Sequence, residues 1–325
     1  MKLLITIPCL NEELTIKTVI AAIPSKIEGI SSIDILVVDD GSSDKTSNNA
    51  KELGAIVINH KQNLGVGEAF KTSYKFAVEH NYDLMVNMDG DNQFDSNEIT
   101  LLVKPILTNK ADLVIGSRFL NKNKISNMSN IKFIGNKLMA YLIGKITGTK
   151  KTDVSSGYRA YSKEALYNLN LHGSFTYTQE TFLEFAVKKL TIVEVPITVT
   201  YYSNRKSRVV STIFNYTVNT LFIILRGFRD FYPLRFFGSL TVLFFLPGAI
   251  FSSIFFYNYF SFGQFSGSLY AGFLGAFFII LSIIFSLIGL VADMLDRIRT
   301  NQERILYTLK KDKNNKWHKS VQEKI

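Results

Sequence analysis

Cys9 is the single cysteine among 325 residues, so the chain cannot form an internal disulfide. Histidine is nearly as scarce, and His60, His80, His172 and His318 lie too far apart to give the short paired spacings of a zinc site. A secretory signal is not expected either: the apolar run Leu3-Leu4-Ile5-Thr6-Ile7 stops at Pro8, short of a signal-peptide core. The first domain is therefore expected to stay in the cytoplasm. Charge is absent from Phe236 to Ala292. Each half of that stretch, Phe236 to Phe262 and Gly263 to Ala292, is long enough to cross a bilayer core, and two adjacent charge-free runs argue against a buried helix of a soluble protein.

An apolar content of 47% supplies one large core or two modest ones. Most phenylalanines fall after Phe214, so the two halves of the chain differ in composition. The formal charge of +10 calls for an anionic partner: nucleic acid, a phosphorylated substrate or an anionic membrane surface. The segments "KLLITIP" and "SIDILVVDDGSSD" are short apolar runs closed by turn residues and read as buried strands. Between them, Asn11 to Ile23 has helical spacing. The alternation continues with a helix at Lys45 to Leu53, a strand at Ala55 to Asn59, a helix near Gly67 to His80 and a strand at Leu84 to Met88. This order predicts an α/β domain with a parallel sheet covered by helices, and ligands bind beyond the carboxyl ends of such strands. Asp39, Asp40, Asp89 and Asp91 lie just past those ends and are expected to share one cleft.

Farther on, "DLVIGSRF" predicts a strand ending in Ser117 and Arg118, and residues 121–148 predict a mobile loop and then a helix. "VSSGYRAYSKEAL" reads as a turn and a helix start, and "TIVEVPITVTYY" as a late strand broken by Pro196. The predicted organisation is a catalytic domain over 1–202, a juxtamembrane interfacial helix over 203–233, two transmembrane helices over 234–292 and a basic tail over 293–325. Apolar residues and terminal arginines between Ser203 and Arg229 fit a helix lying in the membrane interface. Arg226, Arg229 and Arg235 precede the first span and Arg297, Arg299 and Arg304 follow the second, so the positive-inside rule places both flanks, the catalytic domain and the tail on the cytoplasmic face. The tail segment "LKKDKNNKWHKS" is expected near headgroups or disordered.

The stretch "MDGDNQFD" carries the chemistry. Asp89 and Asp91, one residue apart on a loop, can hold a hard divalent cation, Mg2+ or Mn2+, with a diphosphate completing its shell; Gln93 adds a neutral oxygen and Gly90 permits a tight bend. Such a cation offsets charge on a departing nucleoside diphosphate. Asp95 instead suits a helix N-cap. "LGVGEAF" does not complete a dinucleotide-binding fingerprint, because Phe70 stands where its third glycine belongs. Cys9 reads as a packed small residue.

Six segments in order, "IPCLNEE", "VVDDGSSDKT", "QNLGVGEAF", "MDGDNQFD", "GSRF" and "SSGYRAYSKEAL", resemble family 2 glycosyltransferases of GT-A fold, in the polyprenyl-phosphate branch typified by dolichol-phosphate mannose synthase. The resemblance covers roughly the first two thirds of the chain. It implies a Rossmann-like nucleotide-sugar domain and an inverting transfer of a hexose, mannose or glucose, from GDP or UDP to polyprenyl or dolichyl phosphate, giving a lipid-linked sugar for glycan or protein glycosylation. It implies nucleoside contacts at Pro8, Leu10, Glu12 and Asp39 and a metal site at Asp89, Asp91 and Gln93. An acceptor-phosphate grip is implied at Ser117, Arg118, Lys132, Arg205 and Arg208. Asp89, Asp91, Arg118 and Arg205 would then carry catalysis. Leu10 stands where many mannose synthases have Tyr, Lys132 where Arg is usual, and "SNRKSR" lacks the family's glycine.

A phosphate acceptor also follows from chemistry. A hydroxyl nucleophile needs a general base, whereas a phosphate monoester with a second pKa near ~6 is already ionised and needs cations to seat it. Arg205 and Arg208 also suit lipid headgroups. An elongating transferase acting on a sugar hydroxyl is the alternative, with Glu180 as its base; Asp153 stays open to either role. A polymerising enzyme is disfavoured because Trp317, the only tryptophan, lies in the tail and no Gln-x-x-Arg-Trp motif occurs. A non-catalytic scaffold is disfavoured by the retained carboxylates. Nucleic acid is not expected, because the basic residues cluster around the spans. The expected partners are the nucleotide sugar, the polyprenyl phosphate and the bilayer, and a homo-oligomer is allowed.

Overall fold

A computed structural model describes residues 1–120, 125–126, 130–150, 152–171, 177–200, 222, 225–263 and 267–322, without the side chains of 125–126, 130–132 and 314–322. The chain divides into two compact units, residues 1–220 with 305–325, and residues 221–304.

In the first unit, β1 (Lys2–Cys9), β2 (Ser32–Asp39), β3 (Ile56–Asn59) and β4 (Leu84–Asn87) are parallel neighbours in the order β3-β2-β1-β4. The helices α1 (Ile16–Ala21), α2 (Thr46–Glu52), α3 (Val66–Glu79) and α4 (Ile99–Leu107) connect them and lead on to β5 (Leu113–Ser117). Leu3, Ile5 and Ile7 of β1 are completely buried, and each such side chain contributes about 1.5–3 kcal/mol of transfer free energy. α1 is shorter than the spacing suggested: Asn11 adopts a left-handed φ of 52°, and a turn closed by Thr15 and Ile16 N–H donation to the Glu12 carbonyl precedes the helix.

The parallel pairing expected of the first four strands holds, but the complete sheet is mixed. β7 (Arg159–Ser162) enters antiparallel between β4 and β5, and β8 (Ile192–Pro196) pairs parallel with β5 at the edge. "RAYS" escapes a pattern search because its strand opens on an arginine. Arg159 is nevertheless completely buried: it donates to the carbonyls of Ser156 (2.7 Å), Thr178 (2.8 Å) and Val154 (2.8 Å) and to Thr181 Oγ1 (2.7 Å). These bonds tie the turn before β7 to α7 (Tyr177–Val187). The helix α5 (Asn130–Thr147) follows the short β6 (Ile125–Ser126), and α6 (Lys163–Asn168) follows β7. β6 pairs with β9 (Val199–Thr200). Asp95 behaves as expected, its Oδ1 accepting from Asn97 N at 2.9 Å to cap a short 3₁₀ turn.

The second unit contains a helical hairpin. Its helices, Pro233–Phe262 and the apolar part of Leu269–Gln322, are long and apolar enough to cross a membrane. They pack antiparallel through close backbone approach: Ser282 Oγ donates to the Thr241 carbonyl at 3.0 Å, and a Cβ added at Gly275 would stand 2.5 Å from Ser252 Oγ. Small residues serve lipid-embedded helix pairs in this way, because lipid removes the hydrophobic drive between them. The amphipathic helix expected over 203–233 falls mostly outside the described residues, although 225–231 are helical.

The tail is not a disordered extension. Its helix continues to Gln322, and residues 305–325 belong to the first unit. Tyr307 Oη donates to Glu164 at 3.0 Å. Lys310 Nζ caps the end of α6, donating to the carbonyls of Tyr167 (3.2 Å) and Leu169 (2.7 Å) and to Asn170 Oδ1 (3.1 Å). Lys310→Ala removes a charged donor from three acceptors and is expected to destabilise this unit by about 1.5–3 kcal/mol, read as a lower urea midpoint of the full-length protein in detergent.

Candidate active site

Parallel pairing sets the site. Cys9 at the end of β1 faces Asp39 at the end of β2, and β4 lies on the other side of β1, so the loops after three strands open on one sheet edge. Asn11 and Asn92 take left-handed φ values of 52° and 60° in two of these loops, a conformation asparagine tolerates better than most residues. Gly90 is required for a different reason than the bend read from sequence: its φ is not positive, but a Cβ there would stand 2.5 Å from Cys9 Sγ and 3.3 Å from Ile7 Cγ2. Thr15 Oγ1 joins the loops, lying 2.9 Å from Glu12 Oε2 and 2.8 Å from the Gly90 carbonyl.

Cys9 reports the electrostatics of this edge. Burial pushes its thiol pKa well up, and the Glu12, Asp39, Asp89 and Asp91 carboxylates push it further. Those four groups therefore act on one small buried side chain at this end of the sheet. Asp40, expected in the same cleft, turns elsewhere: it accepts from Leu64 N (3.0 Å) and Gly65 N (2.7 Å) and bonds His60 Nδ1 at 2.7 Å, fixing the start of α3. Asp39 is buried and braced by Ser42 N (2.8 Å) and the Ser47 hydroxyl. Pro8 and Leu10 lie at the end of β1 and just after it, both half-buried.

Asp89 and Asp91 are half-buried. Gln93 N donates to Asp91 Oδ1 at 3.1 Å, and the Gln93 carbonyl accepts from Thr200 N at 2.9 Å, anchoring the loop to β9. Among the described residues no three His, Cys, Asp or Glu side chains lie close enough to enclose a metal ion. The donor set nevertheless fits Mg2+ or Mn2+, which take one or two carboxylates and complete their shell with substrate phosphate and water.

On the far side of β7, Arg118 follows β5 and is held by Asp153: Nε to Oδ2 is 2.7 Å and Nη2 to Oδ1 is 2.8 Å. Arg118 Nη2 also donates to Ser155 Oγ (2.7 Å), and Ser155 Oγ donates to Asn136 Oδ1 on α5 (3.0 Å). Lys132 lies one turn before Asn136 in α5, its side chain outside the described residues. Ser117 is fully buried, its hydroxyl 2.7 Å from Thr152 Oγ1 and accepting from Phe119 N, which leaves it bracing the strand end. Arg205 and Arg208 lie outside the described residues. Glu180 is half-buried in the first turn of α7.

Sequence reading missed the Asp153–Arg118 pair, whose 35-residue separation carries no local signal, and also Asn87 and Tyr177. Asn87 Nδ2 donates to Tyr177 Oη at 2.8 Å. Burial and the neighbouring Asp89 charge push the Tyr177 phenol well above its usual range.

Burial alone would raise the Asp153 pKa, but the Arg118 guanidinium and backbone N–H donors outweigh it and hold the carboxyl below the usual range. A depressed native pKa means that the pair's stabilisation is complete above about pH 4, the unfolded value, and is lost as pH falls through the native value. Asp153→Asn is expected to cost on the order of 3 kcal/mol at neutral pH and to flatten the fall in urea midpoint on acidification below pH 4.

Comparison with known proteins identifies the family. The Glycosyl transferase family 2 model matches residues 4–169. A UDP-N-acetylglucosamine–dolichyl-phosphate N-acetylglucosaminyltransferase of Methanococcus voltae is 33% identical over 70% of this chain and 92% of its own. The dolichol-phosphate mannosyltransferase of Pyrococcus furiosus is 30% identical over 66% of this chain and 62% of its own. Among solved structures, glucosyl-3-phosphoglycerate synthase from Mycobacterium tuberculosis in complex with UDP superposes with a TM-score of 0.56 at 23% identity, over 69% of this chain and 79% of that one; this likeness establishes the GT-A fold. The same synthase has also been solved with Mn2+ and UDP. The chain belongs to glycosyl transferase family 2.

Proposed function

We propose that this glycosyltransferase moves one sugar from a nucleoside diphosphate donor to a polyprenyl or dolichyl phosphate at a membrane. The observation that carries the reading is the placement of Glu12, Asp39, Asp89 and Asp91 at or just past the carboxyl ends of the adjacent parallel strands β1, β2 and β4. So many carboxylates at one sheet edge repel a bare diphosphate and bind it through a divalent cation.

In this reading Asp89 and Asp91, with Gln93, hold Mg2+ or Mn2+, which when bound offsets charge on the leaving diphosphate. Pro8, Leu10, Glu12 and Asp39 line the nucleoside side. Asp153 fixes the plane of the Arg118 guanidinium, and Arg118, Lys132, Arg205 and Arg208 seat the lipid phosphate, with Ser117 bracing the strand end that carries Arg118. The phosphate oxygen is already ionised, so it attacks the anomeric carbon without a base. The new C–O bond forms opposite the leaving group, the bond to the diphosphate breaks, and the anomeric centre inverts. Relatives whose names specify mannosyl and N-acetylglucosaminyl transfer to lipid phosphates support the acceptor class. The two apolar helices support anchoring, and arginines on both flanks support a cytoplasmic catalytic unit.

The test incubates detergent-solubilised protein, polyprenyl phosphate and Mn2+ or Mg2+ with a panel of radiolabelled nucleotide sugars. An acid-labile labelled lipid is expected with one donor, and Asp91→Ala is expected to reduce its formation on the order of 100-fold or more. Label passing only to a preformed glycolipid would instead establish the elongating transferase, with Glu180 as the base to examine.

A further inference from the structure

Behind the acidic edge runs a line of uncharged polar groups through an otherwise apolar sheet. Thr6 in β1 and Asn87 at the end of β4 are register partners, and both are completely buried. Thr6 Oγ1 donates to Asn87 Oδ1 at 3.1 Å. Asn87 Nδ2 donates to the Gly157 carbonyl at 3.1 Å and to Tyr177 Oη at 2.8 Å. The Tyr177 ring stacks on Phe70 of α3 with centroids 4.0 Å apart and planes 9° from parallel, so the phenol has one position. A hydroxyl, an amide and a phenol at these depths cost free energy unless their bonds are satisfied, and apolar residues of like shape would fill the same sheet without that cost.

The line ends at Asp89. A Cβ added at Gly157 would stand 2.9 Å from Tyr177 Oη, 3.3 Å from Asp89 Oδ1 and 3.5 Å from Asp89 Oδ2. The phenol and both carboxylate oxygens therefore lie beside the bare α-carbon of Gly157. Asn87 donates to the phenol oxygen and the phenol donates to the Gly157 carbonyl at a long 3.4 Å, so the hydroxyl is held at Gly157 beside the Asp89 carboxylate. Arg159 fixes α7, on which Tyr177 sits, through the Thr178 carbonyl and Thr181.

We propose that Tyr177, aimed by Asn87 and given access by Gly157, is a positioning residue that orients the Asp89 carboxylate for its divalent cation. The inference rests on the reading of Asp89 as a metal ligand and adds to it the device that sets the ligand's orientation. Its own consequence is that removing one oxygen atom from Tyr177 weakens metal binding without removing any ligand.

Full-length protein in detergent is titrated with Mn2+ alone, bound metal being read from the loss of the free-ion paramagnetic resonance signal. Tyr177→Phe keeps the ring and its stack on Phe70. It is expected to weaken Mn2+ binding about 10-fold or more, within the range seen when outer partners of metal ligands are removed, with the urea transition still cooperative and its midpoint lowered only by the acceptor that Asn87 loses. Gly157→Ala, which drives a methyl between the phenol and the carboxylate, is expected to weaken it as well and serves as the second variant if Tyr177→Phe folds poorly. In transferase assays Tyr177→Phe raises the Mn2+ concentration needed for half-maximal rate and recovers at saturating Mn2+, which a general loss of structure would not do. Mn2+ affinity equal to wild type in Tyr177→Phe, with Asp89→Ala losing the site, overturns the positioning role alone. Indistinguishable binding by wild type and Asp89→Ala removes the metal reading beneath it.

Discussion

The site depends on how closely the loop after β4 can approach the end of β1. Gly90 leaves no room for a Cβ against Cys9 Sγ, and Cys9 is small enough to sit beneath it, so the two loops close on each other. Asp89 and Asp91 are thereby carried to the side of Glu12, while parallel pairing of β1 with β2 adds Asp39. Carboxylates gathered at one edge disfavour a bare anion, and in the proposed function a divalent cation bridges them to the diphosphate. Larger side chains at either position 9 or 90 would separate the loops before any ligand was bound.

The other pole carries Arg118. Arg118 stands beyond the end of β5 with its guanidinium held on two sides by Asp153, which Glu194 of β8 secures through the Thr152 and Asp153 N–H groups at 2.8 Å each. A fixed guanidinium loses little freedom on meeting a phosphate. β7, the antiparallel strand, lies between the two poles and contributes Arg159, whose bonds hold both the Gly157 turn and α7. The strand that departs from the parallel pattern thus separates the acidic edge from Arg118. Thr200, paired with Gln93, anchors the acidic loop to β9, from which the chain runs on toward Arg205.

Much of this was legible in the sequence because it is local. Apolar runs closed by "DDGSS" and "DGD" mark strands with acidic ends, and two adjacent charge-free runs mark the helical hairpin. What stayed hidden depends on tertiary neighbours. Asp40 has the same local setting as Asp39, yet the peptide N–H groups of Leu64 and Gly65 draw it away from the cleft. "RAYS" forms an inner strand although it opens on an arginine, since carbonyls of the turn before it and of α7 await the guanidinium. Asp153 and Arg118 find each other only through the sheet. The continuation of the last helix onto α6 depends on Lys310 meeting the carbonyl end of a helix that precedes it by some 140 residues, a partner that no window of sequence contains.

The account stands on a cation held between the β4 loop and a diphosphate. The most direct measurement is an anomalous difference map at the manganese edge, from crystals of the full-length protein grown with Mn2+ and a nucleoside diphosphate. The account predicts one strong peak bonded to Asp89, Asp91 and two phosphate oxygens. A diphosphate seated in the cleft with no peak beside those carboxylates, or with the metal bound elsewhere on the chain, would contradict it.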